Sequence, residues 1–221
     1  MTTLLRVDAS IRVDGSVSRA LADSAEAVWR SEHPDGVVVR RDLGRHPIPA
    51  DVWPSVIAGK LGLPTPDDSD RADYADAKAL ADEITNEFVS ADAVLVAVPL
   101  YNWGVSQHVK TWIDLLLTVG ELQTAGLVAG KPIILTLARG GGYGEGAPKH
   151  GWDHSTPYLE RIFRDALQMD LRTAVAELTL APVSPGMESL IDASKVSEAE
   201  AHVAAKEHAA VVARQFTSAA A

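Results

Sequence analysis

Short runs of aliphatic and β-branched residues at 3–7, 37–41, 93–98, 133–137 and 174–180 alternate with longer stretches whose apolar residues recur every three or four positions. An unbroken apolar run suits a strand covered on both faces, and the longer recurrence suits a helix with one buried stripe. Few folds accommodate that alternation. Each helix carries the chain back over the sheet, so successive strands run parallel and helices lie on both sides. The expected architecture is a three-layer α/β sandwich around a five-stranded parallel sheet. Two doubly wound strand orders compete for it, the dinucleotide-binding order and the order 2-1-3-4-5. No internal repeat or low-complexity linker divides the 221 residues, so a single domain is expected over 1–221.

Val17, Leu21, Ala25, Val28 and Trp29 mark the apolar face of a first helix, and Ala77, Leu80, Ala81, Ile84 and Phe88 that of a second. Val105, Val109, Trp112, Ile113, Leu116 and Leu117 mark a third, closed by Gly120. Leu159, Ile162, Phe163, Ala166 and Leu167 mark a fourth, with Thr156 as N-cap and Pro157 at the first helical position. A last, alanine-rich helix over 195–216 carries Val196, Val203, Val211 and Val212 as its apolar seam. The segment 43–72 fits neither period. It holds Pro47, Pro49, Pro54, Pro64 and Pro66, and its length and its Trp53 favour a lid over a ligand above a plain surface excursion.

Composition removes several functions. A net charge of −10 argues against nucleic acid, which requires clustered Lys and Arg. The chain has no cysteine, which removes disulfides, thiolate metal sites and thiol redox chemistry. Electrons, if handled at all, must sit on a bound cofactor. Residues 1–10, with Arg6 and Asp8, do not read as a secretory signal, and the apolar run 93–101 is too short to span a bilayer. A cytoplasmic protein without a membrane partner is expected.

In open α/β sheets, ligands gather at the carboxyl ends of the strands, so the loops after the first, third and fourth strands matter most. The first runs from Asp8 to Ser18 and contains neither G-x-G-x-x-G nor G-x-x-x-x-G-K-[ST]. Instead Ser10, Ser16 and Ser18 surround a helix start. Hydroxyls, free amides and the positive helix end suit a terminal phosphate, although Ser16 or Ser18 could serve only as an N-cap. The second loop, Pro99-Leu100-Tyr101-Asn102-Trp103-Gly104, offers a flat heteroaromatic ring apolar contact and an amide. The third runs Ala138-Arg139-Gly140-Gly141-Gly142-Tyr143-Gly144-Glu145-Gly146, where glycines permit close backbone approach and positive φ.

Together these loops resemble the FMN-dependent NADH-azoreductase family within the flavodoxin-like quinone reductases. That family has a serine ending strand one, S-x-S at the next helix, P-[ML]-Y-N-[FW] after strand three and [ST]-R-G-G after strand four. This chain offers Ser10, Ser16-Val17-Ser18, Pro99-Leu100-Tyr101-Asn102-Trp103 and Ala138-Arg139-Gly140-Gly141, in that order. Arg41-Asp42-Leu43 and Pro47-Ile48-Pro49 look like the family's stretch after strand two. The resemblance implies the flavodoxin-like order 2-1-3-4-5 and a homodimer with one FMN per subunit. The phosphate would rest on Ser10 and the turn Ser16, Val17, Ser18. The ring would lie between Pro99, Leu100, Tyr101, Asn102 and Trp103 on one side and Ala138, Arg139, Gly140 and Gly141 on the other, with Tyr143 nearby. It also implies NADH or NADPH as electron donor and a quinone or azo compound as acceptor, taking turns at one site in ping-pong kinetics. Two features depart from the family pattern. Ala138 replaces a hydroxyl, and the segment 120–131 is shorter than the family's aromatic-lined counterpart. Conversely, the stretch 142–154, with Tyr143, His150, Trp152 and His154, is longer than in many relatives.

Other readings carry less. His150 and His154 lack a helix face and a third ligand, so no metal is expected. Tyr143 and His154 read as pocket lining before charge stabilisers, and no G-x-S-x-G elbow supports a hydrolase. The competing function is a flavodoxin-type carrier that passes single electrons to protein partners. The P-x-Y-N-W block and the proline-rich segment favour a small-molecule pocket.

Overall fold

A computed structural model describes residues 1–63, 73–118, 122 and 126–217. Its sheet is built from β1 (Thr3–Asp8), β2 (Val37–Asp42), β3 (Ala93–Tyr101), β5 (Pro132–Ala138) and β6 (Asp170–Ala176), all parallel, in the order β2-β1-β3-β5-β6. A sixth, two-residue strand, β4 (Gly104–Val105), folds back antiparallel on the end of β3. Setting that hairpin aside, the order is the flavodoxin-like 2-1-3-4-5. Chain direction across the sheet reverses between β1 and β3, which opens a crevice at their carboxyl ends.

Alternation along the central strands divides the core. Leu5, Val7, Val94, Val96, Val98, Ile133, Leu135 and Leu137 face α3 (Tyr74–Ser90), α4 (Gln107–Thr118) and α5 (Ser155–Glu160). There Phe88 and Trp112 meet edge to face at 5.6 Å. Leu4, Ala93, Leu95, Ala97, Ile134 and Ala174 face α1 (Val17–Glu32) and α6 (Ile191–Thr217) on the other side. The apolar seam of α6 is made mostly of alanine, and of the expected valines Val212 belongs to it. Ala201, Ala205, Ala209, Val212 and Ala213 are buried, whereas Val196 and Val203 are more than half exposed. Small side chains four apart let α6 lie close on α1 and the sheet.

Three further expectations are corrected. The fifth parallel strand ends at Ala176 instead of running over 174–180. At Leu178 the backbone turns left-handed (φ 59°), and the amides of Leu178, Thr179 and Leu180 donate to Gly141, Arg139 and Gly140 carbonyls. Being an edge strand, β6 tolerates Asp170, Arg172 and Thr173, so its start lacks the apolar signature. Thr156 is not an N-cap. The helix begins at Ser155, and the Asp153 carboxylate accepts the amides of Ser155 and Thr156 at 2.8 and 3.0 Å. Pro157 is consequently third in the helix, still within the turn that needs no amide donor. The helix continues as a π-helix, Arg161–Ala166. Gly120 lies outside the described residues.

Within 43–72, Val52–Leu61 forms a helix, α2, that buries Val52 and Val56 in the α3/α4 side of the core. Trp53 donates its indole N–H to Thr118 Oγ1 at 3.0 Å, and Lys60 caps the same helix end through the Thr118 carbonyl. Gly59 lets α2 cross α3, since a Cβ there would stand 2.0 Å from the Tyr74 ring. Residues 64–72 lie outside the described residues, and the described part, 43–63, lines neither cavity of the site below.

Charge is also built into the sheet. Arg6, in the middle of β1, is 3% exposed and donates to Asp8, Asp23 and Glu26 at 2.6–3.1 Å. Glu26 in turn receives Arg30 and Arg40. Burial alone would raise the Glu26 pKa, but Arg30, Arg6 and Arg40 hold it below the ordinary glutamate value. A depressed carboxylate stabilises the fold above its unfolded pKa, and that contribution is lost as pH falls through the folded one. Glu26→Gln is therefore expected to cost about 2–3 kcal/mol at neutral pH, because it leaves buried guanidinium charge short of a partner. Urea unfolding across a pH series checks this: the variant's stability should fall less than the wild type's on acidification below the glutamate range.

Candidate functional site

The loops after β1, β3 and β5 meet at the crevice. Ser10, Ser16, Val17, Ser18, Pro99, Leu100, Tyr101, Ala138 and Gly140 line one cavity of about 470 Å³. Leu100, Asn102, Trp103, Gly140, Gly141 and Tyr143 line a second of about 660 Å³, which shares Leu100, Gly140 and Leu180 with the first. Thirteen of the fourteen expected site residues thus border one continuous groove. Arg139 is the exception.

The first cavity has the chemistry of an anion seat. It lies at the N-terminus of α1, a 16-residue helix with no acidic residue in its first turn. The first helical bond runs from the Ala20 amide to the Ser16 carbonyl, so the amides before Ala20 have no acceptor within the helix. Ser16 occupies the N-cap position, yet its hydroxyl makes no cap bond; it lies 3.4 Å from the buried Ser18 hydroxyl. Capping does not explain these serines. Ser10 Oγ accepts the Arg12 amide at 3.2 Å and lies 3.3 Å from the Tyr101 hydroxyl. Arg12 is the charged residue on the wall, and no carboxylate lines the cavity among the described residues. Hydroxyls and free amides around one cavity, with a positive helix end behind them, fit a phosphate monoester.

The second loop is a strained hairpin. Asn102 (φ 49°) and Trp103 (φ 63°) both occupy the left-handed region, as a two-residue hairpin loop between β3 and β4 requires. Asparagine tolerates this; a tryptophan there costs about 1–3 kcal/mol. The stretch 142–154 holds it in place. The His154 amide donates to the Trp103 carbonyl at 2.8 Å, the Trp152 ring meets the Trp103 ring edge-on at 5.4 Å, and Lys149 Nζ lies 5.8 Å from its centroid. Trp103 lines the second cavity and Trp152 backs it from outside the cavity lining, and the two half-exposed rings form one aromatic wall there.

Of the glycines in the third loop, Gly146 takes the expected positive φ (80°). Gly140, Gly141 and Gly142 do not adopt positive φ. At Gly140 the Leu180 side chain packs on the backbone, and a Cβ would stand 2.6 Å from Leu180 Cδ1, so the leucine would have to shift. Arg139 turns away from both cavities: its guanidinium donates to Glu177 at 2.8 Å and Thr156 at 2.9 Å and lies 2.8 Å from Asp153. Tyr143 faces the second cavity. Burial first, and the nearby Asp153 charge second, push its phenol above the ordinary tyrosine value, which keeps it a neutral proton donor.

Several lining residues escaped the sequence reading, notably Ile11, Arg12, Leu178, Thr179, Leu180, Met187 and Leu190. Leu178, Thr179 and Leu180 were hidden by assigning 174–180 to a strand. Pro182 and Pro185, close behind, were the available sign that the chain had already left the sheet.

The chain matches known proteins in sequence and in fold. The family model for the flavodoxin-like fold matches residues 2–205. An FMN-dependent NADH:quinone oxidoreductase from Frankia casuarinae is 37% identical, over 96% of this chain and 100% of its own. Another so named, from Streptomyces avermitilis, is 33% identical over 99% of this chain and 100% of its own. Among solved structures, an azoreductase from Bacillus anthracis superposes with a TM-score of 0.70 at 28% identity, covering 98% of this chain and 100% of the other.

Proposed function

We propose, from the premise that the chain belongs to the flavodoxin-like family of FMN-dependent NADH:quinone oxidoreductases and azoreductases, that its two joined cavities are the cofactor seat and the acceptor site of one reductase. The protein is an FMN-dependent oxidoreductase that draws electrons from NADH and reduces quinones and azo compounds. The observation that carries the site assignment is the convergence of three strand-end loops on a phosphate-suited helix terminus at one end and an aromatic-walled cavity at the other.

In this reading the first-turn amides of α1, with Ser10, Ser16 and Ser18, hold the FMN phosphate. Leu100, Tyr101, Asn102 and Trp103 border the ring on one side, and Ala138, Gly140 and Gly141 on the other. When bound, the flavin supplies a relay for an electron pair. The chain positions and shields. Leu100 and Leu180, shared by both cavities, form the apolar neck that excludes water between cofactor and acceptor. The neutral Tyr143 phenol is placed to donate a hydrogen bond to an acceptor oxygen or nitrogen as charge arrives on it. Because nicotinamide and acceptor use the same cavity in turn, initial-rate plots against the two substrates should be parallel.

The direct test mixes purified, FMN-loaded protein with NADH and a soluble naphthoquinone, with no partner protein present. Continuous nicotinamide oxidation is expected. A flavin-bound protein that turns over only with an added electron-transfer protein would instead be a carrier.

A homodimer is part of the same proposal. Ile11, Trp103, Trp152 and Leu180, between 43% and 62% exposed, gather about the groove, and a second copy seated there would cover apolar surface at the cavity mouth. So is a cytoplasmic setting, where reduced nicotinamide is available. No described helix is long and apolar enough to cross a membrane.

A further inference from the structure

Asp42, in the stretch Arg41-Asp42-Leu43, is the last residue of β2 and lines neither cavity. Its carboxylate is nonetheless joined to the phosphate loop. Arg19 grips it with both terminal nitrogens, Nη1 to Oδ2 and Nη2 to Oδ1, each at 2.7 Å. The same Nη2 donates to the backbone carbonyl of Ser10 at 2.7 Å. The Gly44 and Arg45 amides complete the carboxylate's shell at 3.1 and 3.0 Å. Gly44 itself lies against the loop, for a Cβ there would stand 2.0 Å from the Ser10 carbonyl oxygen. Three elements thus close on one peptide group: the first turn of α1, the end of β2 and the turn that follows it.

The direction of that peptide matters. In a trans peptide the C=O and the following N–H point opposite ways. Holding the Ser10 carbonyl towards Arg19 therefore aims the Ile11 amide the other way, into the cleft that Ser10 and Ile11 line. Charge matters as well. Asp8, 5% exposed, ends β1 directly before this loop, and a buried carboxylate beneath an anion seat would repel its ligand. Arg19 lies 3.7 Å from Asp8, on which Arg6 also closes at 3.0 Å. The Arg19 side chain is itself 11% exposed and locked by Asp42, so its position does not depend on a ligand.

We propose that Arg19, held by Asp42, is the positioning residue of the FMN phosphate seat: it fixes the Ser10–Ile11 peptide with its N–H towards the phosphate and offsets the Asp8 charge below. This rests on the reading of the first cavity as that seat. The role is selective for the phosphate, and riboflavin, which has the same ring and no phosphate, separates it from a general contribution to the fold.

The experiment titrates apo-protein with FMN and with riboflavin, following flavin fluorescence, for wild type, Arg19→Gln, Arg19→Lys and Asp42→Asn. Arg19→Gln should weaken FMN about 30-fold, the scale of a lost charge-assisted bond, while riboflavin changes by less than about threefold. Arg19→Lys keeps the charge but cannot span Ser10 and both Asp42 oxygens, so it should fall between wild type and Gln. Asp42→Asn should weaken FMN by about fivefold with the same selectivity, and it carries the test should Arg19→Gln not fold. Equal losses for FMN and riboflavin, or no loss for either, overturn the role of Arg19. A wild-type protein that takes up neither flavin overturns the seat itself and this role with it.

Discussion

Ser18→Glu should leave purification colourless and fail to take up FMN at concentrations that saturate the wild type. Ser18 is 1% exposed in the first turn of α1, and its hydroxyl faces that of Ser16 at the floor of the first cavity. The cavity, about 470 Å³, has room for the longer side chain, so the carboxylate would settle on the free amides where the phosphate belongs. A carboxylate in the first turn complements the helix dipole by about 0.3–1 kcal/mol, so the fold should survive. The ligand would not. Two unit charges of like sign about 4 Å apart repel by about 4 kcal/mol at an effective dielectric of 20, and a phosphate carries nearly two. A loss of about a thousandfold in affinity or more follows. Flavin-to-protein absorbance ratios and an unchanged circular dichroism spectrum are the measurements. Flavin content equal to the wild type's would remove the phosphate from this helix terminus.

Why Ser18 was legible and its neighbour Arg19 was not is a matter of range. A serine at a helix start declares its use through local geometry, because hydroxyl and free amides lie within one turn. Arg19 acts on Asp42, 23 residues away, and the two meet only because β2 pairs with β1 in register, with Asp8 opposite Asp42. The strands buried on both faces were plain for the same local reason, since β3 and β5 read as nearly continuous apolar runs and β1 as one interrupted by Arg6. The edge strand β6 was displaced by four residues because its exposed side admits Asp170, Arg172 and Thr173. That slip took Leu178, Thr179 and Leu180 out of the groove and into the sheet. The hairpin of β4 left no trace, as two residues have no period, and nothing in a tryptophan announces the positive φ of Trp103. In α6 the expected seam is right at Val212, but close helix packing selects alanine for most of the buried stripe, and Val196 and Val203 face outward.

Arg139→Met should separate two roles that the family resemblance merges. By its motif, Arg139 belongs with the cofactor; by its contacts, it holds together three segments around the second cavity. Its guanidinium meets Glu177 at the end of β6, Asp153 before α5 and the Thr156 hydroxyl within α5. Glu177 passes the restraint on, accepting the Tyr143 amide at 3.2 Å, while Asp153 caps α5. Methionine fills similar length without charge. It strands two largely buried carboxylates, and the expected cost is about 3–5 kcal/mol. With its rivet gone, the stretch 142–154 loses the register that sets Tyr143 and the Trp103–Trp152 wall, and misplacement of such groups by about an ångström lowers turnover on the order of a hundredfold. Quinone kcat/KM should fall by that factor while the flavin-to-protein ratio stays close to the wild-type value, because the phosphate contacts and the ring contacts of Leu100, Tyr101 and Ala138 lie in the first cavity, which no part of Arg139 lines. Arg139→Lys should recover little, since a single ammonium cannot reach both carboxylates and the threonine hydroxyl in one plane. Flavin lost in step with activity would return Arg139 to the cofactor and undo its assignment as a brace for the acceptor wall.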